Sequence, residues 1–575
     1  MCALDKKQRE QDLRELFAVV KGEQPADLAI TNVKIVDVYV GDTYDGGLLI
    51  HKGSIVALNP DGDTVALARD RFDGQGMYVA PGLIDGHMHV DTELVTPKEL
   101  AEVICPFGTT AVVAEFLDLC SASREKALEN AKILFQKREE LPFRLYLEAP
   151  AKKVDPKVVK ELLEWDGVFA LGEFNHYKYC AGTPDTFEQL ADAQANGKMQ
   201  LSHARWSKRE QEFNLFPAAG SVAGHDAFEF EDLMMDLRAG HLTMIRQGYG
   251  VLQNVTKLMP QVIEKGLPTD HIGVCTDGLA LEYLMEAGHM DAIVQTVIDM
   301  GMDPIQAIRL ATLNIAQGLH LEHEIGSVTP GRRADLIFLK DLSQIRRPQY
   351  VFQNGRMVAK DGKLTIQLEG FDYSPLKDSR GPGLDGLTLA DVETQYLESR
   401  DGDSQRLVRV FNEGVPGEYN WYEDLWMPVK NGSIVCPDDA SYLWVIQRYP
   451  NGERHVISTF TKDYLVREGG FAITNQSPAP YIAAVGRNLD DMLLAAKEVD
   501  RCPGGYAVYT SGQRRGALQL PLAGVISDLD GASFAAEAKN LKRLGEENGF
   551  TDPMGWFRQL MMLFWKLDRN SWLNV

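Results

Sequence analysis

The chain has 575 residues, too many for one ordinary hydrophobic core, so two or three domains are expected. Hydrophobic residues make up 45% and charged residues 25%, the balance of a folded globular protein rather than a disordered or fibrous one. A formal net charge of -23 argues against nucleic acid or an anionic membrane as partner, because both require clustered Lys and Arg.

The first 23 residues are charged and lack the apolar centre of a signal peptide. No apolar run reaches the length needed to span a bilayer. Cysteines stand at 2, 105, 120, 180, 275, 436 and 502, an odd number with no CxxC pair. That spacing reads as reduced thiols, and a cytoplasmic location is expected.

In chain order, residues 1–25 form an N-terminal helical segment. Within it, 9–20 (REQDLRELFAVV) has helical periodicity, with Leu13, Leu16 and Phe17 on one face. From 26 to 79 short β-branched runs are broken by Gly, Asp and Asn, a series of strands and turns. The run MYVAPGLIDGHMHV (77–90) reads as an apolar strand that delivers a polar cluster. Over 80–325 the short apolar runs TTAVVAE, FRLYLEA, VFALGEF, MQLSHA, LTMIRQ and HIGVCTD alternate with longer polar stretches. This alternation predicts parallel βα units, and the number of strand candidates suits a (β/α)₈ barrel. Residues 303–319 predict one closing helix, with Asp303 as N-cap and Pro304 in its first turn. Strand texture returns over 326–372, so 26–79 and 326–372 are expected to build one small β domain from both flanks of the barrel. Residues 374–386 (SPLKDSRGPGLDG) read as a linker, and 387–575 as a C-terminal αβ domain.

The chemistry gathers at the ends of the predicted strands. His87 and His89 in GHMH are two residues apart, which on a strand turns both imidazoles to one face. An HxH pair alone is weak evidence. Glu173 near the end of VFALGEF, His203 in MQLSHA, His225 in VAGHD and Asp277 at the end of HIGVCTD strengthen it, each following a short apolar run. Active sites of such barrels gather at the C-terminal strand ends. Imidazole and carboxylate ligands without thiolate suit Mn or Zn, with Fe also compatible. Two such divalent ions would acidify water between them, and a carboxylate on the last strand would accept the proton.

At these residues the chain resembles the amidohydrolase superfamily, and within it the bacterial-type adenine deaminases. The resemblance rests on PGLIDGHMH (81–89), LGE (171–173), LSH (201–203), GHD (224–226) and CTD (275–277). It continues through EAGHMDAIVQTVIDMGMDPIQAIRLATLNIAQGLHL (286–321) and GSVTPGRRADLIFL (326–339), and into LPLAGVISD and DPMGWFRQLMMLFW near the C-terminus. It implies metal ligation by His87, His89, Glu173, His203, His225 and Asp277, with Glu173 bridging two ions. Asp277, with His225, would form the catalytic pair, Asp277 acting as general base. Asp226 stands where the family has a Glu after the sixth-strand histidine and would meet the purine ring. The implied reaction is hydrolytic deamination of adenine or a related aminopurine, a small-molecule substrate. A homodimer is expected on separate grounds, as the commonest soluble assembly.

Four departures bear on that substrate. HMHVDTEL places Asp91 and Glu93 where the family commonly reads HxHIESS. AEFLD, with Glu115 and Asp118, replaces an Asp-Pro-His-Glu motif. Gly278 follows Asp277 where a second Asp is usual, and TNQSPAP (474–480) replaces a His-Asp-Ser-His-Asn segment. Arg205, Trp206, Asn175, His176, Arg246 and Gln247 add polar groups to the same rim. Arg205 and Arg246 are therefore further substrate-binding candidates, since a guanidinium fork fits a carboxylate. The alternative activity is hydrolysis of another C–N bond, such as a cyclic or aryl amide. A metal-binding scaffold without catalysis is disfavoured by the intact ligand set.

Overall fold

The computed structural model describes residues 6–152, 154–174, 176–204, 210–248, 253–377, 383–412, 422–448, 454–474 and 481–549. Arg205, Trp206 and Asn175 therefore lie outside the described residues, as do 475–480 of the TNQSPAP segment, 378–382 of the expected linker and DPMGWFRQLMMLFW. The chain divides into two compact units, one of Met1–Glu93, Pro97–Phe116 and Gln136–Phe371, the other of Leu94–Thr96, Leu117–Phe135 and Asp372–Val575.

The first unit holds an eight-stranded parallel sheet in strict chain order: Leu83–His89, Thr109–Glu115, Arg144–Ala149, Val168–Leu171, Met199–Ser202, Ser221–Gly224, Leu242–Arg246 and Ile272–Cys275. Each of these short strands is buried at nearly every position, as expected where both faces are covered. The sheet curls until its last strand meets its first. There the Asp277 N–H donates to the His87 carbonyl at 3.0 Å, and the Thr276 N–H and hydroxyl donate to Asp85 at 3.1 and 2.6 Å. The interior is filled by Ile84, Val113, Leu201, Met244 and Ile315, so the fold is the (β/α)₈ barrel expected from the alternation.

The stretch 77–90 is not one strand but two. Tyr78–Pro81 pairs antiparallel with Leu336–Leu339 in a nine-stranded sheet, and Leu83–His89 then enters the barrel. Gly82 is the turning point. Its N–H donates to the Asp335 carbonyl at 2.9 Å, and a Cβ there would lie 2.1 Å from Thr110 Oγ1. The nine-stranded sheet joins strands from Leu28 onward to strands ending at Leu364, so both flanks of the barrel build one β layer.

Two local expectations need correction. The closing helix is broken into Pro304–Leu310 and Leu313–Gly318. Asp303 caps it as expected, accepting from the N–H groups of Ile305 and Gln306, but the Ala311 carbonyl accepts from the Ile84 N–H at 2.7 Å. That bond to the first barrel strand diverts the backbone, and Thr312 takes a non-helical conformation. The N-terminal helix runs over Lys6–Val20, yet Leu13 and Phe17 are 56% and 61% exposed. It is anchored instead by buried Val19 and by ion pairs of Asp12 and Glu15 with Lys52. Polar contacts fixed its rotation, and the apolar pattern did not.

The second unit carries a ten-stranded sheet centred on Ser441–Gln447, Val456–Thr461, Gly470–Thr474, Tyr481–Gly486 and Gly505–Thr510. Helix Leu489–Asp500 contributes Met492, Ala495 and Ala496 to a core with Trp444, Ile446, Ala472 and Ile482. The segment 117–135, which carries Asp118 in the helix Leu117–Ser123, groups with this unit.

Candidate metal centre

Parallel register brings the candidate ligands level. His89 is paired with Glu115 on the second strand, and Glu115 with Glu148 on the third. The fourth strand pairs Leu171 with Ala149, which leaves Glu173 just beyond its end. Glu173 is fixed there by its N–H, which donates to Glu115 Oε1 at 3.0 Å.

The side chains converge on Glu173. Its Oε1 lies 3.4 Å from His87 Nε2, 3.6 Å from His89 Nε2 and 2.8 Å from His225 Nε2. Asp277 Oδ1 lies 3.8, 3.4 and 3.9 Å from the same three nitrogens. Two groupings able to hold an ion result: His87, His89, Glu173 and Asp277, and Glu173, His203 and His225. Glu173 belongs to both. The six residues picked from the strand ends are thus brought together.

The donors fit a divalent metal by their chemistry. Among the described residues His87 Nε2 and His225 Nε2 are buried and have no partner in hydrogen-bonding geometry, close as Glu173 is to both. Such buried nitrogens are costly unless something accepts their lone pairs. Meanwhile each opposite ring nitrogen faces a carboxylate: His87 Nδ1 is hydrogen-bonded to Glu148 at 3.2 Å, and His89 Nδ1 lies 3.3 Å from Glu115 Oε2. A carboxylate on Nδ1 fixes the tautomer that leaves Nε2 free to ligate. Metal bonds of about 2.0–2.2 Å place neighbouring ligand atoms roughly 3–3.5 Å apart, close to the separations seen.

The electrostatics agree. Burial, with the charges of Lys152 and then His225, pushes His203 well below its ordinary pKa, and burial beside His87 does the same to His225. Both are therefore neutral, the state that binds metal. Burial opposes ionisation of Asp277, but the hydrogen bond with His89 and the charge of Arg246 outweigh it and hold the carboxyl well below its usual range. Burial also works against a charged His89, yet Asp277 and Glu115 raise it to about 9. The carboxylates thus demand positive charge at the point where a cation would sit. Burial raises Glu115 itself, partly countered by His89.

Asp277 is held in a left-handed backbone conformation, φ +55°, followed by Gly278 at +79°. Asp tolerates that region better than most residues. Beyond it, the Leu279 N–H donates to Glu93 Oε1 at 2.6 Å, so a residue that departs from the family motif clamps the eighth-strand loop. Arg246, 5% exposed, sets Nη1 2.9 Å from Asp277 Oδ2 and lies over the Phe228 ring. Asp226 and Asp91 are buried. His176 opens a short helix and stacks on Phe216, while the Gln247 N–H donates to the Cys275 carbonyl.

Three contributors escaped the sequence reading. Glu148 closes FRLYLEA, and Lys152, four residues later, forms an ion pair with Glu173 Oε2. The same strand-end rule that found Glu173 points to Glu148; nothing in the sequence pattern points to Lys152. Asp85, inside the GLIDGHMH motif, faces inward and takes Thr276 and also His289 Nε2 at 3.2 Å.

Sequence relatives agree with this geometry. The pattern of the amidohydrolase family matches residues 78–364, and that of the adenine deaminase C-terminal domain matches 422–565. The chain is 32% identical over 556 residues to the adenine deaminase of Desulforamulus reducens, covering 94% of this chain and 92% of that protein. Identity is 30% over 536 residues to the adenine deaminase of Rubrobacter xylanophilus, covering 89% and 87%. It is 28% over 556 residues to that of Ruegeria sp. strain TM1040, covering 93% and 90%. With candidate metal ligands gathered at the barrel strand ends and similarity running nearly end to end, the chain belongs to the adenine deaminase family of the amidohydrolases.

Proposed function

We propose that this protein hydrolyses adenine, or a closely related aminopurine, to hypoxanthine and ammonia with the help of two divalent ions, Mn or Zn, with Fe also compatible. The observation that carries the reading is the sharing of Glu173 between two ligand groupings in a chain of this family. Bound there, such ions supply a nucleophile at neutral pH by acidifying water, and they polarise the ring.

The chain's own residues do the rest. His87, His89, Glu173, His203, His225 and Asp277 hold the ions. Asp277, kept ionised, takes the proton from the attacking water and returns it to the departing ammonia. His225, stacked on His87 at 3.9 Å between ring centres, is kept neutral beside it. Arg246 keeps Asp277 oriented through Oδ2, and its buried Nε, with no hydrogen-bond partner among the described residues, offers one donor to substrate. Asp226, which follows His225 in the chain and is buried, completes the substrate-binding assignment with Arg205.

This reading includes a cytoplasmic homodimer divided as 1–25, 26–79 with 326–372, 80–325 and 387–575. In the described residues no helix is long and apolar enough to cross a membrane.

A second reading is favoured by one observation. Glu115, at the end of the second strand where family members commonly carry a His-containing motif, is committed to His89 and to the Glu173 N–H. A rim altered in this way accommodates another C–N bond, such as a cyclic or aryl amide. Manganese- or zinc-loaded protein given adenine is expected to release ammonia and form hypoxanthine, with Asp277→Asn slowed by about 10²- to 10⁴-fold. No ammonia from adenine, with turnover of an amide instead, would reject the first reading in favour of the second.

A further inference from the structure

We propose that Lys152 makes the two ion positions unequal. Its ammonium competes with a second divalent ion for Glu173 Oε2, so the chain retains one ion tightly and the other only weakly. The inference rests on the metal reading above and deepens it.

A carboxylate joins two ions by giving one oxygen to each. In this site Oε1 of Glu173 faces the Nε2 atoms of His87, His89 and His225, whereas Oε2 carries the Lys152 ammonium. Both partners are secluded, with side-chain exposures of 13% for Lys152 and 2% for Glu173. Solvent therefore screens the pair little.

The charges point the same way. Among the described residues the carboxylates of Glu173 and Asp277, with Glu148 and Glu115 behind His87 and His89, face the cations Lys152 and Arg246. Two of the charges that meet these carboxylates are thus supplied by the chain itself. A buried cluster close to neutrality is the stable arrangement, and a second dication must either displace Lys152 from Oε2 or sit against its charge. Lys152 is thus a positioning residue: it fixes the free oxygen of the shared carboxylate and sets how many ions stay.

The test is metal binding, without substrate. Chelator-stripped full-length protein is titrated with Zn²⁺ in a calorimeter, then dialysed against metal-free buffer and assayed for zinc by mass spectrometry. Wild type is expected to show two steps at least ~10-fold apart in affinity and to keep a single ion after dialysis. Lys152→Met, similar in length but uncharged, is expected to bring the steps together and keep two ions, while Lys152→Arg keeps the wild-type pattern. Two equal steps in wild type overturn the proposal even if Lys152→Met fails to fold, and so does a well-folded Lys152→Met that still keeps one ion. Absence of zinc binding by wild type would reject the metal reading itself, and this inference with it.

Discussion

The groups that orient a ligand are as informative here as the ligands. His87 and His89 sit on one strand and could rotate about χ2, but each has a buried carboxylate on Nδ1, Glu148 for the first and Glu115 for the second. Replacing Glu148 by Gln keeps size and removes the charge that fixes the tautomer. The expected result is a folded protein whose zinc affinity, measured by calorimetric titration, falls about 10- to 100-fold. An unchanged affinity would show that packing alone holds the His87 ring. Glu115 explains one departure from the family motif in physical terms: in place of a further histidine, the second strand supplies a carboxylate already used twice, by His89 and by the Glu173 N–H.

At the scale of elements, backbone hydrogen bonds and close approach decide what pattern leaves open. Gly86 lies between Asp85 and His87 on the first barrel strand, and a Cβ there would stand 2.5 Å from Met244 Sδ and 3.3 Å from Ile315 Cδ1. Gly86→Ala therefore overfills the barrel interior and is expected to cost ~1–3 kcal/mol in chemical denaturation. Full stability in that variant would mean the Met244 side chain moves freely aside. The N-terminal helix Lys6–Val20 is a different case, since polar pairs on its surface hold it. Hydrogen bonding to Lys52 lowers Asp12 from 3.8, and hydrogen bonding to Lys52 and then His51 lowers Glu15 from 4.5. A carboxyl lowered by folding contributes stability above its unfolded pKa and loses it as pH falls through the folded value. Anchoring of this helix should thus be complete at pH 6 and weaken below pH ~4. Hydrogen exchange of 6–20 across that range checks it, and protection that does not fall with pH would assign the anchoring to Val19 instead.

At the scale of the whole molecule, each unit has its own core and its own buried polar lock. In the second unit Arg448, 3% exposed, pairs with Asp500 at 2.5 Å and donates to the carbonyls of Asp500, Cys502 and Pro503. Asp500 also accepts from the N–H groups of Gly383 and Leu384, so the lock ties the start of the domain to the end of its helix. Arg448→Met strands a buried carboxylate and is expected to destabilise this unit by about 3–5 kcal/mol, read as an earlier unfolding transition in calorimetry. An unmoved transition would show the pair to be dispensable. The barrel and the address of its site were legible in the sequence, because apolar runs bounded by polar segments have few other ways to bury their faces, and metal ligands must stand where the strands end. His87, His89, Glu173, His203, His225 and Asp277 could all be picked from that rule. The split of 77–90 at Gly82, the break at Ala311–Thr312 and the outward faces of Leu13 and Phe17 could not, since each depends on a partner distant in the chain. The same holds for Lys152. The sequence alone determined which residues can ligate a metal, because that is a property of residue type and period. Only the tertiary structure decided how charge is shared among them, because Lys152 and Arg246 reach the cage across strands whose spacing no local pattern encodes.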